Sequence, residues 1–367
     1  MKIYIDGMWF RHTGIGRIYE NLLQGLIEAD EVEHIHTIVS PGRRTEFLER
    51  FSHRKVLPRF INYPYDYREI LRKGVALRDL DPKPDLFYFP SFNAPFFLDG
   101  KVVSTVCDLI PLTRFFDLPW YMRARFRFAV QHALKRSFRT VCISRATRDH
   151  VVKEFGVGTD TLEVIYPPLD FPAADSFAEE GGRPIVEGDY ILYVGNRNPH
   201  KNLRCLLDAC RILLPEIPEL RVVIAGPRMR NRDDVDAAME VPELRMRLVE
   251  FPSASDWEIR NLYRHARVFV FPSLIEGFGI PPLEALWQRV PVICSDIAVL
   301  REVCGAVVRY ANPMDPADFA RAILRTLRDP QNTERRESGR EWASRYARSE
   351  STRRYLALFR GCIDRMV

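Results

Sequence analysis

Residues 272–296 read PSLIEGFGIPPLEALWQRVPVICSD. Just before them, Arg267-Val-Phe-Val-Phe271 is a short apolar run of the kind that forms a buried parallel strand. The chain then passes two glycines, Gly277 and Gly279, and enters Pro281-Pro282 and an apolar segment ending at Trp287. Prolines suit the first turn of a helix, where N–H groups have no intrahelical partner. Val290-Pro-Val-Ile-Cys294 opens the next strand. Strand, glycine turn, helix and strand predict a βαβ unit, and so a parallel sheet with helices on its faces. A helix N-terminus that follows a glycine turn at the carboxyl end of a strand is an anion site, because its N–H groups and dipole both favour negative charge. Two carboxylates flank it, Glu276 in the turn and Glu284 about one turn into the helix. That arrangement suits a ligand with phosphate at its centre and hydroxyl-rich groups at both ends, which is the shape of a nucleotide-sugar.

Working outward, the same alternation fills both halves of the chain. Toward the N-terminus of this half, Tyr190–Val194 reads as a strand, Gly195–Asn202 as a loop and Leu203–Leu214 as a helix. Further strands are expected at 221–226 and 245–251, with a helix at 256–265. Beyond Asp296 come a helix at 299–304, a strand at 306–310 and a helix from Pro316 to about Arg328. The tail, about 334–366, reads as a long basic amphipathic helical segment whose Trp342, Tyr346, Tyr355, Leu356, Phe359 and Ile363 need a partner surface. In the first half, strands are expected at 2–6, 34–40, 85–90, 102–107, 139–144 and 162–166. Gly7–Gly16 reads as a loop, Arg17–Ala29 as a helix, and Arg145–Phe155 as a helix capped by Ser144. A stretch rich in Pro, Gly and acids lies between the halves. The expected division is a first Rossmann-like domain over 1–172, a linker over 173–188, a second Rossmann-like domain over 189–345, and a terminal helix over 346–367.

Composition agrees with two cores. The chain has 367 residues, 46% of them hydrophobic and 28% charged, which suits two domains of about 150–200 residues. A net charge of +5 is too small to mark a nucleic-acid binder. The seven cysteines form no C-x-x-C pair and no metal-spaced cluster, and several sit in apolar runs. Free thiols so placed argue for a reducing compartment. The N-terminus lacks the apolar core of a signal peptide, and no window approaches the length of a membrane span. A cytoplasmic protein is expected, on the inner face of the cytoplasmic membrane if residues 114–139 bind lipid. That segment interleaves Phe, Trp and Tyr with six Arg and Lys residues between 123 and 139, a pattern that can lie on an anionic surface or form an ordinary helix with a buried aromatic face.

Other residues at strand ends carry candidate chemistry. Arg197 and Lys201 follow the first strand of the second half, where two cations can neutralise a diphosphate. In the first half, Gly14-Ile-Gly16 with Arg17 forms a turn that can approach a phosphate or an acceptor. It lacks the third glycine of a dinucleotide fingerprint, since position 19 is Tyr. Asn93 and Cys107-Asp108 close two further strands. The D-x-D triplets at 79–81 and 234–236 lie in polar segments, and no metal site is expected from them.

Ser273-Leu-Ile-Glu276-Gly-Phe-Gly-Ile-Pro-Pro-Leu-Glu284 resembles the E-x7-E signature of glycosyltransferase family 4, retaining enzymes of the GT-B fold. The resemblance continues in Gly195-Asn-Arg197…His-Lys201-Asn, Pro291–Asp296, Leu300-Arg-Glu302-Val and Thr113…Cys142-Ile-Ser144. It covers nearly the whole chain and is stronger in the second half. It implies a GT-B α/β fold, two Rossmann-like domains facing across a cleft, with the last helix crossing back to the first domain. It also implies that Glu276 contacts the donor sugar and Glu284 the ribose. The N–H groups around Gly277, Phe278 and Gly279 would hold the diphosphate together with Arg197 and Lys201, and Gly195, Ser273 and Ile280 would complete the donor pocket. Asp108 would act from the first domain, and Gly14, Gly16, Arg17, Asn93 and Cys107 would form the acceptor or phosphate loops. Family members often carry His where this chain has Cys107, and small residues where it has Leu286-Trp287.

The expected function is therefore retaining transfer of a hexose, mannose as first choice, from a GDP- or UDP-linked sugar to a glycan or polyprenyl-linked acceptor in surface-polysaccharide synthesis. The nucleotide-sugar is substrate; no cofactor and no metal is expected. The competing expectations are a nucleotide-sugar epimerase, a phosphorylase and a non-catalytic nucleotide-sugar-binding protein.

Overall fold

The computed structural model describes residues 1–11, 13–61, 76–171, 182–228, 233–329 and 332–364. The chain divides into two compact units. Unit 1 comprises Met1–Thr113, Asp117–Asp170 and Tyr346–Val367; unit 2 comprises Arg114–Phe116 and Phe171–Arg345. Residues 173–181 of the expected linker lie outside the described residues.

Among the described residues, unit 1 holds a seven-stranded parallel sheet: β1 Lys2–Asp6, β2 His34–Val39, β3 Val56–Phe60, β4 Leu86–Phe89, β5 Val102–Val106, β6 Arg139–Cys142 and β7 Leu162–Val164. Their spatial order is β3-β2-β1-β4-β5-β6-β7. All neighbours pair in parallel, for example Ile3 with Ile35 on one side and Leu86 on the other. β3 was not foreseen, because Pro58 interrupts it; Pro is tolerated there because β3 is an edge strand. Both faces of the sheet are covered, which is why β4 and β5 are buried throughout. One face packs Ile3, Ile5, Tyr88 and Val103 against Leu22 and Leu26 of helix α1 (Thr13–Glu28), and against Tyr355 and Phe359 near the C-terminus.

One expectation about helices changes here. Helix α1 starts at Thr13, so Gly14 and Gly16 lie in its first turn and not in a loop. Gly16 is required because a Cβ there would run into the carbonyl oxygen of Trp9. The helical segment of the tail is two helices. Residues 332–344 form one helix that belongs to unit 2, and Arg348–Asp364 forms another that belongs to unit 1. Trp342 stays in unit 2, donating Nε1–H to the Val303 carbonyl at 2.8 Å. Tyr355 and Phe359 instead close the unit 1 core, and Gly25 of α1 lets Thr352 pack against it.

Among the described residues, unit 2 repeats the pattern with six parallel strands: β8 Tyr190–Val194, β9 Arg221–Ala225, β10 Leu248–Phe251, β11 Val268–Phe271, β12 Val292–Ser295 and β13 Arg309–Ala311. Their order is β10-β9-β8-β11-β12-β13. Part of the expected strand at 245–251 is helical turn, and β13 lies three residues beyond its expected start. Counted from each unit's first strand, both sheets open with the doubly wound order 3-2-1-4-5-6, so both have a point where the strand order reverses. It falls between β1 and β4 in unit 1, and between β8 and β11 in unit 2. Ligands of open α/β sheets bind beyond the strand ends at such points.

Candidate active site

In unit 2 the reversal point is framed by the loop after β8 and the turn after β11. β8 ends at Val194 and Gly195 follows with φ 154°. The neighbouring Gly226 sits so close that a Cβ on it would strike the Gly195 carbonyl. Pro199–Lys201 makes one short 3-10 turn, Asn202 takes a left-handed conformation (φ 58°), and Leu203–Leu213 continues as a helix. On the other side, β11 leads through Ser273 and Glu276 to Gly279, whose φ of 100° a side chain would strain. The turn opens into a helix spanning Ile280–Trp287. Pro281 and Pro282 occupy its second and third positions. They have no N–H, so the orphan donors of this helix end belong to Gly279 and Ile280.

These loops bring two of the expected site residues together. The Lys201 ammonium lies 2.6 Å from Glu276 Oε1, and their side chains are 13% and 8% exposed. The same ammonium stands 5.3 Å over the Phe271 ring. Gly277, Phe278 and Gly279 are buried around the turn, and Ser273 is fully buried with no hydrogen-bond partner for its hydroxyl. Glu284 is half-buried and accepts a hydrogen bond from the Tyr263 hydroxyl at 3.2 Å. The preceding Leu274 N–H donates to the His200 carbonyl at 2.8 Å, tying the two loops by their backbones.

Arg197 is a correction. Its guanidinium is fully buried, 2.6 Å from Glu250 and 3.5 Å from Asp233. It is held in an internal ion pair, with its Nε and Nη1 making no hydrogen bond. Glu250 also accepts from the exposed Arg228 at 2.8 Å. Asp233 caps the helix at 234–238, accepting from the Val235 and Asp236 N–H groups, and Asp236 of the D-x-D triplet completes the capping box by accepting from the Asp233 N–H at 3.0 Å.

Three residues near the pair carry no assigned role in the sequence reading, although His200 and Asn202 stand in the motif quoted above. His200 is buried, and its ring lies 5.8 Å from that of Phe116. Burial, and then the Lys201 charge, push it down to about 4, against the opposing pull of Glu276. Tyr263 is buried on the helix Asp256–His265. Asn202 stands at the N-cap position of the helix Leu203–Leu213, yet its side chain caps nothing.

In unit 1 the reversal point is framed by the turn after β1 and the loop after β4. Trp9 Nε1–H donates to Ser91 Oγ at 3.2 Å across it. Gly14 faces open space, and Arg17 is exposed at the same helix start. Asn93 is half-buried in the loop after β4. Cys107 and Asp108 follow β5; Asp108 Oδ1 accepts from the Ile110 N–H at 3.0 Å, and the Cys107 thiol points to the Pro90 carbonyl at 3.6 Å. Burial, the Asp108 charge and Cys142 push the Cys107 thiol far up, so it stays protonated. The candidate residues of each unit therefore lie at the carboxyl edge of that unit's own sheet.

The family model for glycosyl transferases group 1 matches residues 179–344, and that for glycosyltransferase family 4 matches residues 12–171. The chain belongs to glycosyltransferase family 4. This glycosyltransferase is 26% identical over 351 residues to O-antigen chain mannosyltransferase B of Escherichia coli, covering 86% of this chain and 87% of that one. It is 27% identical over 239 residues to O-antigen chain mannosyltransferase RfbU of Salmonella typhimurium, covering 62% of this chain and 65% of that one. Among solved structures it superposes on sucrose-phosphate synthase from Thermosynechococcus elongatus with a TM-score of 0.78 at 17% identity, covering 98% of each chain. HepE from Anabaena, solved with UDP and glucose, superposes with a TM-score of 0.74 at 16% identity, covering 98% of this chain and 100% of that one. These likenesses show the GT-B fold.

Proposed function

We propose that this glycosyltransferase moves a hexose from a nucleoside diphosphate sugar to a hydroxyl of a glycan or polyprenyl-linked acceptor, with retention at the anomeric carbon. The observation that carries the reading is the Lys201–Glu276 pair at the reversal point of the unit 2 sheet. It supplies one cation for a diphosphate and one carboxylate for sugar hydroxyls, beside a helix N-terminus. On donor binding, Lys201 exchanges Glu276 for the diphosphate, and Glu276 accepts hydrogen bonds from the sugar hydroxyls. Glu284, steadied by Tyr263, accepts from the ribose. As the bond from the anomeric carbon to the phosphate oxygen breaks, Lys201 and the N–H groups at Gly279 and Ile280 stabilise the charge that builds on the leaving group. The acceptor oxygen bonds to the anomeric carbon, and its proton passes to the departing phosphate oxygen. No metal is assigned a role in this scheme.

Mannose, a GDP-linked donor and a place in surface-polysaccharide synthesis are the finer reading, supported by the names of the two O-antigen relatives. The unit 1 residues Gly14, Gly16, Arg17, Asn93, Cys107 and Asp108 are the candidates for acceptor contact. Membrane contact through 114–139 is supported by the helix Trp120–Arg136, on which Trp120 is 79% exposed with Tyr121, Met122 and Phe128 also exposed.

The test is to incubate the protein with labelled GDP-mannose, and with UDP-sugars in parallel, plus a membrane extract holding lipid-linked glycans. Transfer of label to the extract supports the reading. Donor binding without transfer to any acceptor would sink the enzyme reading, and release of epimerised or free sugar without acceptor would point to an epimerase or hydrolase.

A further inference from the structure

We infer that Asn202 is a positioning residue that sets the Lys201–Glu276 geometry by clasping three loops; this rests on the donor-site reading above. Its Nδ2 donates to the Pro272 carbonyl at 3.0 Å and to the Pro313 carbonyl at 2.8 Å. Pro272 immediately follows β11 and opens the turn that carries Glu276, while Pro313 lies in the loop after β13. Asn202 itself directly follows Lys201. One amide group therefore uses both protons to hold the lysine loop against the glutamate turn and a third loop.

The backbone explains why this residue is Asn. At φ 58° and ψ 39° it sits in the left-handed region, which Asn and Gly enter at low cost and most other residues do not. Gly would satisfy the backbone but offers no amide. Asp nearly matches the shape, but would set an acceptor oxygen against two carbonyl oxygens. The backbone bonds Asn202 N–H to the Pro199 carbonyl (3.0 Å) and Leu274 N–H to the His200 carbonyl (2.8 Å) remain in any such variant. The loop therefore keeps its path while the clasp is lost. The clasp acts on position, because Asn202 touches neither Lys201 Nζ nor the Glu276 carboxylate through its side chain. A displacement of about 1 Å at a reacting centre can cost about 10²-fold in rate.

The experiment is a double-mutant cycle in the full chain with GDP-mannose, or whichever labelled donor the transfer assay selects. Asn202→Gly should fold with an unchanged circular-dichroism spectrum and lower kcat/KM for the donor by up to about 10²-fold. Asn202→Asp should lower it at least as far. In a Lys201→Ala background, Asn202→Gly should change kcat/KM by no more than about two-fold, because the residue it positions is gone. Near-normal kcat/KM in both Asn202 variants overturns the inference. So does an equal loss from Asn202→Gly with and without Lys201, which marks a purely structural role. A Lys201→Ala enzyme with the wild-type rate overturns the donor-site reading itself, and the clasp with it.

Discussion

At the scale of single residues, the pair Lys201–Glu276 carries the most weight. Removing one preorganised charge stabiliser from a transferase costs about 10²–10³-fold in kcat. Lys201→Ala and Glu276→Gln should each lose activity on that scale, measured by initial rates of donor consumption. Arg197 behaves differently, although it is only four positions from Lys201. Breaking a buried ion pair by deleting one partner costs about 3–5 kcal/mol. Arg197→Met should lower the urea-unfolding free energy of the chain on that scale, because Glu250 and Asp233 lose their buried countercharge. His200 carries a pH signature. Its folded value, about 4, lies below the ordinary histidine value of 6.5, so between the two the unfolded chain binds the extra proton. Stability should therefore fall as pH drops from about 6.5 toward 4, and His200→Gln should flatten that slope in melting temperatures taken across the window.

At the scale of elements, the glycines and prolines were legible and their surroundings were not. Gly279, Pro281 and Pro282 announce a turn and a helix start from composition alone, and the helix at 280–287 is where they put it. The earlier start of α1 was hidden, because nothing local says that Gly16 must pass under the Trp9 carbonyl. Pro58 in β3 misled for a related reason: its fitness depends on the strand lying at a sheet edge, which is a tertiary fact. In the tail, amphipathic periodicity runs through both helices, and the expected start of the terminal helix at 346 lies in the break between them. Its second helix is a core element: Phe359 is fully buried, its ring 5.3 Å from that of Tyr88, and Tyr88 donates to the Tyr355 hydroxyl at 3.1 Å. Phe359→Ala should cost about 3–5 kcal/mol, read as an earlier loss of unit 1 structure in hydrogen exchange while amides of β8 and β11 stay protected.

At the scale of the whole molecule, one chain carries two copies of a doubly wound sheet, each with its candidate residues beyond the strand ends. Among the described residues no helix is long and apolar enough to cross a membrane. Attachment to lipid would then depend on exposed aromatic and basic side chains of the 120–136 helix. Flotation with vesicles containing anionic lipid should carry the wild-type protein upward and weaken with salt. Trp120→Ser combined with Phe128→Ser should stay at the bottom of the gradient with catalysis of a soluble acceptor intact; equal flotation of both proteins would refute lipid contact through this helix.

The sequence by itself determined the fold class, the family and the turn and helix start within 272–296. Buried parallel strands, glycine turns and proline-led helix starts are local patterns, and the two acids of 272–296 come at a spacing that the local pattern already makes meaningful. Only the tertiary structure decided which charges meet. Lys201 finds Glu276 across 75 positions of sequence, Arg197 turns to Glu250 and Asp233, and Asn202 bonds two proline carbonyls in other loops. Those pairings follow from strand order, which is not written in the spacing of residues along the chain.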